Sequence, residues 1–132
     1  MMYLPDTNAW IAYVNPGALA VKSRFRAHPP TDMLFCSVVK AELLYGAYRS
    51  SRRADNLRLL ALLFQQFESL PFDDAAAEDC GRIRADRAAQ GTPIGPNDLM
   101  IAAIALANNL ILVTHNTREF ARVAGLILED WT

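Results

Sequence analysis

Cysteine is nearly absent: Cys36 and Cys80 are the only two in 132 residues, too few for a disulfide framework or a thiolate metal cage. Both stand in apolar or helical surroundings and read as small core residues, which fits a reducing cytoplasm. No apolar run approaches the roughly 20 residues of a membrane span. The longest, Leu99 to Val113, is broken by Asn108-Asn109. The start of the chain has no basic segment, and Asp6 interrupts its apolar stretch, so no secretory leader is expected. An excess of one charge is missing too. Thirteen basic residues against fourteen acidic ones leave a net −1, which argues against nucleic-acid binding by bulk charge but not by a local patch. Lysine is scarce, with only Lys22 and Lys40 beside the arginines. The planar arginine fork suits phosphate and carboxylate alike, so the bias fits an RNA backbone or an acidic protein partner.

What is present is an ordinary globular composition, 52% apolar and 20% charged. With no repeat, low-complexity run or long linker, residues 1–132 read as a single domain, expected in the cytoplasm and off the membrane. Such a length buries roughly 65–70% of the unfolded chain's surface.

Short apolar segments alternate with helical ones. The run Met2 to Pro5 ends at Asp6-Thr7-Asn8, small polar residues suited to a helix N-cap, and a helix follows to Val14. Helices are predicted over 18–27, over 38–49 with Ser37 as cap, over 54–67 and over 74–90. Another runs from Leu99 to Asn108, opened by Asn97 and ended by Asn109. Strands are predicted at 33–36, 69–72, 110–114 and 126–128, and a helical turn at 116–121. This alternation predicts an α/β fold with a parallel sheet covered on both faces. Sites in such sheets form outside the carboxyl ends of the strands.

Four acidic residues fall there. Asp6 follows the first strand, and Glu42 lies one turn into the helix after the second, on a face with Val38 and Tyr45. Asp98 begins the helix after a Gly/Pro loop, and Glu119 follows the strand 110–114 by five residues. Carboxylates meeting at one rim repel each other unless a divalent cation neutralises them, and hard oxygen ligands suit Mg²⁺ or Mn²⁺. Each has a structural alternative. Asp6 caps a helix, Asp98 complements a helix dipole, Asn116 with Glu119 forms a capping box, and Glu42 pairs with an arginine. Residue types and spacing alone support an acidic cluster and no more.

The strings Asp6-Thr-Asn8, Ser37-Val-Val-Lys-Ala-Glu-Leu-Leu-Tyr-Gly-Ala47, Gly95-Pro-Asn-Asp-Leu-Met-Ile-Ala-Ala103 and Leu112-Val-Thr-His-Asn-Thr-Arg-Glu-Phe120 resemble the PIN-domain family. In detail they are similar to the VapC toxins of bacterial toxin–antitoxin pairs, and the closing Leu126-Ile-Leu-Glu-Asp-Trp131 extends the likeness. The resemblance implies a PIN-like three-layer α/β/α sandwich with a short central parallel sheet, and an endoribonuclease dependent on Mg²⁺ or Mn²⁺. It places the catalytic and metal-holding carboxylates at Asp6, Glu42, Asp98 and Glu119, with Thr7, Asn8, Thr114 and Asn116 in support. It further implies a VapB-like antitoxin that blocks the site, operator DNA bound jointly with it, a homodimer, and structured RNA such as transfer RNA as substrate. Departures from the pattern are Pro5, which cannot donate to a strand ladder, Ile104 in place of a polar residue, and His115 in place of Asn.

Arginines are the candidate grip on RNA or antitoxin. Arg49, Arg52, Arg53 and Arg58 cluster at one interhelical turn, and Arg82, Arg84 and Arg87 line another helix, unless they merely solvate those faces. Trp10 and Tyr13 suit a stacked base, a dimer patch or core packing. A lone His115 near the rim gives no serine triad. Asn8 disfavours an aspartyl phosphatase, which wants Asp there. The remaining alternative is a PIN-like module that binds RNA or protein without cutting.

Overall fold

The structure, a computed structural model, describes residues 2–132. In chain order it runs β1 (Tyr3–Pro5), α1 (Thr7–Val14), α2 (Leu19–Arg26), β2 (Phe35–Cys36), α3 (Ser37–Arg49) and α4 (Arg53–Phe64). It continues with β3 (Ser69–Leu70), α5 (Asp74–Ala89), α6 (Pro96–Ala107), β4 (Ile111–Val113), α7 (Thr117–Phe120) and β5 (Ile127–Glu129). All strand pairs are parallel: β1, β4 and β5 form one sheet and β2 with β3 another. The two are joined at Tyr3, which bridges to Met33 and accepts the Leu34 N–H at 3.0 Å. The spatial order is therefore β3-β2-β1-β4-β5. Its direction of winding reverses at β1, where doubly wound sheets open a crevice at their carboxyl ends.

β1 and β4 are buried along their whole length, so both faces of the central strands are covered by helices. The predicted strands and helices are all present with shifted ends. Ser37 is not a cap: Cys36 holds that position, and the Ser37 hydroxyl instead accepts the Phe72 N–H at 3.2 Å. α6 opens at Pro96, earlier than Asn97, because proline needs no N–H partner in a first turn. α4 stops at Phe64, short of Phe67, whose ring turns inward against Trp10. Asn109 ends α6 in the left-handed region (φ 55°), as its sequence position predicts.

Trp10 and Tyr13 are core residues and stack no base from here. Trp10 is fully buried, lies flat on Phe35 with centroids 3.8 Å apart, and meets Phe25 and Phe67 edge-on or tilted. Tyr13 stacks on Phe25. This aromatic block fixes α1 to the sheet and so fixes the residue at its start.

Candidate active site

Asp6 sits where β1 becomes α1. Its N–H donates to Val113 O at 2.9 Å, extending the β1–β4 ladder one residue past Pro5. One carboxylate oxygen accepts the Ala9 N–H at 2.9 Å, so Asp6 is a helix cap as well as a candidate ligand. Pro5 does not disturb this. Even-numbered residues of β1 bond towards β4 and odd-numbered ones towards β2, so the missing N–H of Pro5 falls on the β2 side. Asp6 is only 7% exposed, and burial raises its carboxyl above the usual range. The Glu42 charge pushes the same way, while the Thr114 hydroxyl, the Ala9 amide and His115 oppose it.

Glu42 projects from α3, and its Oε1 accepts the Thr7 hydroxyl at 2.6 Å. No arginine pairs with it among the described residues, which removes the ion-pair alternative. Asp98 lies half-buried in the first turn of α6. Its carboxyl is pushed up to about 6, first by burial and then by the charges of Glu119, Glu42 and Asp6. A single residue that feels all three others places the four carboxylates in one electrostatic neighbourhood. Glu119 is held by two donors, the Gly95 N–H at 3.3 Å and the Asn116 side-chain amide at 2.7 Å. This is not the expected capping box, because Asn116 donates through its side chain and its own N–H goes to the Thr114 hydroxyl at 3.0 Å.

The four are not drawn to ligand distance of one another. Among the described residues no three His, Cys, Asp or Glu side chains come close enough to hold an ion together. Glu42 and Glu119 are instead tied to Thr7 and to Gly95 with Asn116, which spreads the like charges apart. Thr7, Glu42, Ser37, Tyr45, Asn97 and Met100 line an open cleft of about 530 Å³. Asn8 is exposed beside Thr114 and His115 in a smaller hollow, away from that cleft. His115 is exposed and bound to Asp130 Oδ2 and Thr132 Oγ1, each at 3.1 Å. No local pattern points to the Gly95 amide or to Met100 in the cleft wall. The only available signal was the Gly-Pro step that brings α6 in.

The arginines divide. Arg52 and Arg58 share Asp55, and Arg82 pairs with Asp79 at 3.0 Å. Arg49 and Arg53 lie over the Tyr45 and Tyr48 rings. Arg84 and Arg87 face a cleft between α5 and α6.

A second groove of about 620 Å³ runs between α1, α3 and α4 and is largely apolar. Ile11, Val14, Leu59 and Leu62 stand in it with roughly half their surface exposed, between 45% and 63%. Glu42 borders both this groove and the acidic cleft. No helix among the described residues is long and apolar enough to cross a membrane.

The PIN domain family matches residues 3–126. The chain is 41% identical over 132 residues to the tRNA(fMet)-specific endonuclease VapC of Shigella flexneri, covering 100% of this chain and 99% of that protein. It is 37% identical to the protein of the same name from Salmonella typhimurium, with 99% and 98% covered. Among solved structures it superposes on the DNA-bound VapBC complex of Salmonella typhimurium with a TM-score of 0.92 at 36% identity, covering 100% of this chain and 99% of that one. VapBC2 of Rickettsia felis, bound to a DNA fragment from its promoter, gives 0.91 at 32% identity with both chains fully covered. With the fold, the acidic cleft and these relatives in agreement along the whole chain, the protein belongs to the PIN-domain family and, within it, to the VapC proteins.

Proposed function

We propose that this protein is a VapC-type toxin, an endoribonuclease that hydrolyses phosphodiester bonds of structured RNA, with transfer RNA as the substrate class. The observation that carries the reading is the gathering of carboxylates at the sheet's switch point: Asp6 at the end of β1, Glu42 bound to Thr7 next to it, and Glu119 bound to Gly95 at the start of the Asp98 helix. Such a set serves an anionic substrate only with a cation present. Its donors are all hard oxygens, which fits Mg²⁺ or Mn²⁺ and disfavours softer metals. Asp6, Glu42, Asp98 and Glu119 are the residues that would hold the ion, once side-chain shifts bring them to ligand distance. When bound, it supplies charge neutralisation and Lewis-acid polarisation of water and phosphate.

The chain's own groups orient these ligands. The Ala9 amide fixes one oxygen of Asp6, the Thr7 hydroxyl fixes Glu42, and the Gly95 and Asn116 donors fix Glu119. Thr114 supports Asp6 from the end of β4 and accepts the Asn116 N–H, coupling the two sides of the site. Asn8, exposed beside Thr114 and His115, is the remaining support at the rim in this reading.

A VapB-like antitoxin is the proposed partner, supported by the VapBC complexes on which the chain superposes. The apolar groove bordered by Glu42 suits an amphipathic segment of such a partner, which would then abut the acidic cleft. Operator DNA is bound only by the joint complex, and the toxin itself acts as a homodimer in the cytoplasm.

The test incubates purified protein with transfer RNA and total RNA, with Mg²⁺, with Mn²⁺ and with chelator, beside Asp6→Asn. Discrete fragments that need metal and vanish in the variant are expected. Metal-independent cleavage, or full activity in Asp6→Asn, would sink the site assignment.

A further inference from the structure

An acidic active site sets an electrostatic problem for its own substrate. RNA carries a charge at every phosphate, and Asp6, Glu42, Asp98 and Glu119 repel it where it must be held. Cations beside the cleft, but not engaged elsewhere, are needed. Salt bridges among the described residues occupy four of the eleven arginines: Arg24 is on Glu129, Arg52 and Arg58 on Asp55, Arg82 on Asp79.

Of the arginines without an acidic partner, Arg84 and Arg87 are distinguished by their place. They lie three residues apart on α5, neither is in a salt bridge among the described residues, and both line a cleft of about 450 Å³ between α5 and α6. Arg87 gives one guanidinium nitrogen to Thr92 Oγ1 at 3.2 Å, which steadies the fork and leaves its other donors for a phosphate. Two features join this cleft to the acidic one. Met100 lines both, and Phe72 in the second wall donates its N–H to Ser37 in the first. The remaining wall is apolar, with Phe72, Pro93 and Ile94, and suits ribose and base faces.

The geometry points to Arg84 and Arg87 as positioning residues that hold the RNA backbone beside the scissile phosphate, the strand running from the acidic cleft over Met100 into the α5–α6 cleft. This assignment rests on the ribonuclease reading. An acidic protein segment is the competing occupant, disfavoured because the cleft shares its Met100 wall with the cleft that Glu42 lines.

The test measures transfer RNA binding by fluorescence anisotropy in chelator, across a salt series, for wild type, Arg84→Gln, Arg87→Gln, the double variant and Arg82→Gln. Each of the first two substitutions should weaken binding several-fold and flatten the slope of log Kd against log salt by about 0.7. In metal-supported cleavage KM should rise with kcat nearly unchanged. Arg82→Gln should match wild type, and Arg84→Lys should restore the slope. Unchanged Kd, slope and KM in a folded double variant would overturn the assignment. So would failure of Arg84→Lys to restore the slope, or lost affinity for a poly-glutamate peptide with RNA binding intact. Because binding is read without catalysis, absence of cleavage by wild type would overturn the activity and leave this test standing.

Discussion

Asp98 is the residue whose chemistry is most exposed to measurement. Its carboxyl titrates near 6 in the folded protein instead of near 3.8. Between those values the folded protein keeps a proton that the unfolded chain has released. Stability therefore falls as pH rises from about 4 to about 6 and stays low above that range. Asp98→Asn removes the penalty, so it should raise stability by about 1–2 kcal/mol near pH 8, solvent screening allowed for, and by nothing near pH 4. Thermal melts at the two pH values decide it, and an equal gain at both would mean the carboxylates share no field. Thr7 offers a second test. Thr7→Val removes the 2.6 Å bond to Glu42 without enlarging the side chain, and should cost about 10–100-fold in cleavage with no more than about 1–3 kcal/mol lost in the melt. Trp10 offers a third, on stability alone. Its indole N–H is buried with no partner among the described residues, a cost that Trp10→Phe deletes. Trp10→Phe should therefore stay within about 1.5 kcal/mol of wild type by denaturant melts, against about 3–5 kcal/mol lost in Trp10→Ala.

At the scale of elements, β1 explains both what the sequence disclosed and what it hid. Three residues suffice as a strand because β4 pairs along its full length, and the apolar run to Pro5 made that strand visible. Which side of the strand Pro5 leaves without a donor depends on the order of the neighbours, and no local pattern carries that. The structure puts the gap towards β2, where pairing is already reduced to one bridge at Tyr3. Pro5→Val should accordingly leave cleavage within a few-fold of wild type and the Asp6 position unmoved. A large loss of activity in a folded variant would show that the proline is tuned to the site. Helix ends were less legible than helices for the same reason. Ser37 looks like a cap by residue type, yet its hydroxyl answers a distant N–H from Phe72. Phe67 fits the period of α4, yet it leaves the helix because the Trp10 block takes its ring. The four carboxylates were legible because strand ends and helix starts recur at marked residues. Gly95 and Met100 were not, since the approach of α6 to α3 and α7 is tertiary. The arginines could be counted but not sorted, because Asp55 and Asp79 decide which of them are occupied.

For the whole molecule, the net charge of −1 conceals an uneven distribution that ties stability to ligand. Carboxylates concentrate where β1, α3, α6 and α7 meet, and the fold holds them against their mutual repulsion through Thr7, Gly95 and Asn116. A divalent cation held by the folded arrangement, and not by the dispersed unfolded chain, would stabilise by mass action. At a concentration of about 100 times its Kd the gain is about 2.7 kcal/mol, which for a chain of this size shifts the melting temperature by several degrees. Mg²⁺ and Mn²⁺ should both raise the melting temperature of wild type near pH 8. The shift should shrink near pH 5, where Asp98 is largely protonated, and should disappear in Asp6→Asn and Asp98→Asn. A titration by differential scanning calorimetry with each ion reads all of this without RNA. A shift that persists in Asp98→Asn would place the ion elsewhere on the surface and overturn the assignment of these carboxylates as its ligands.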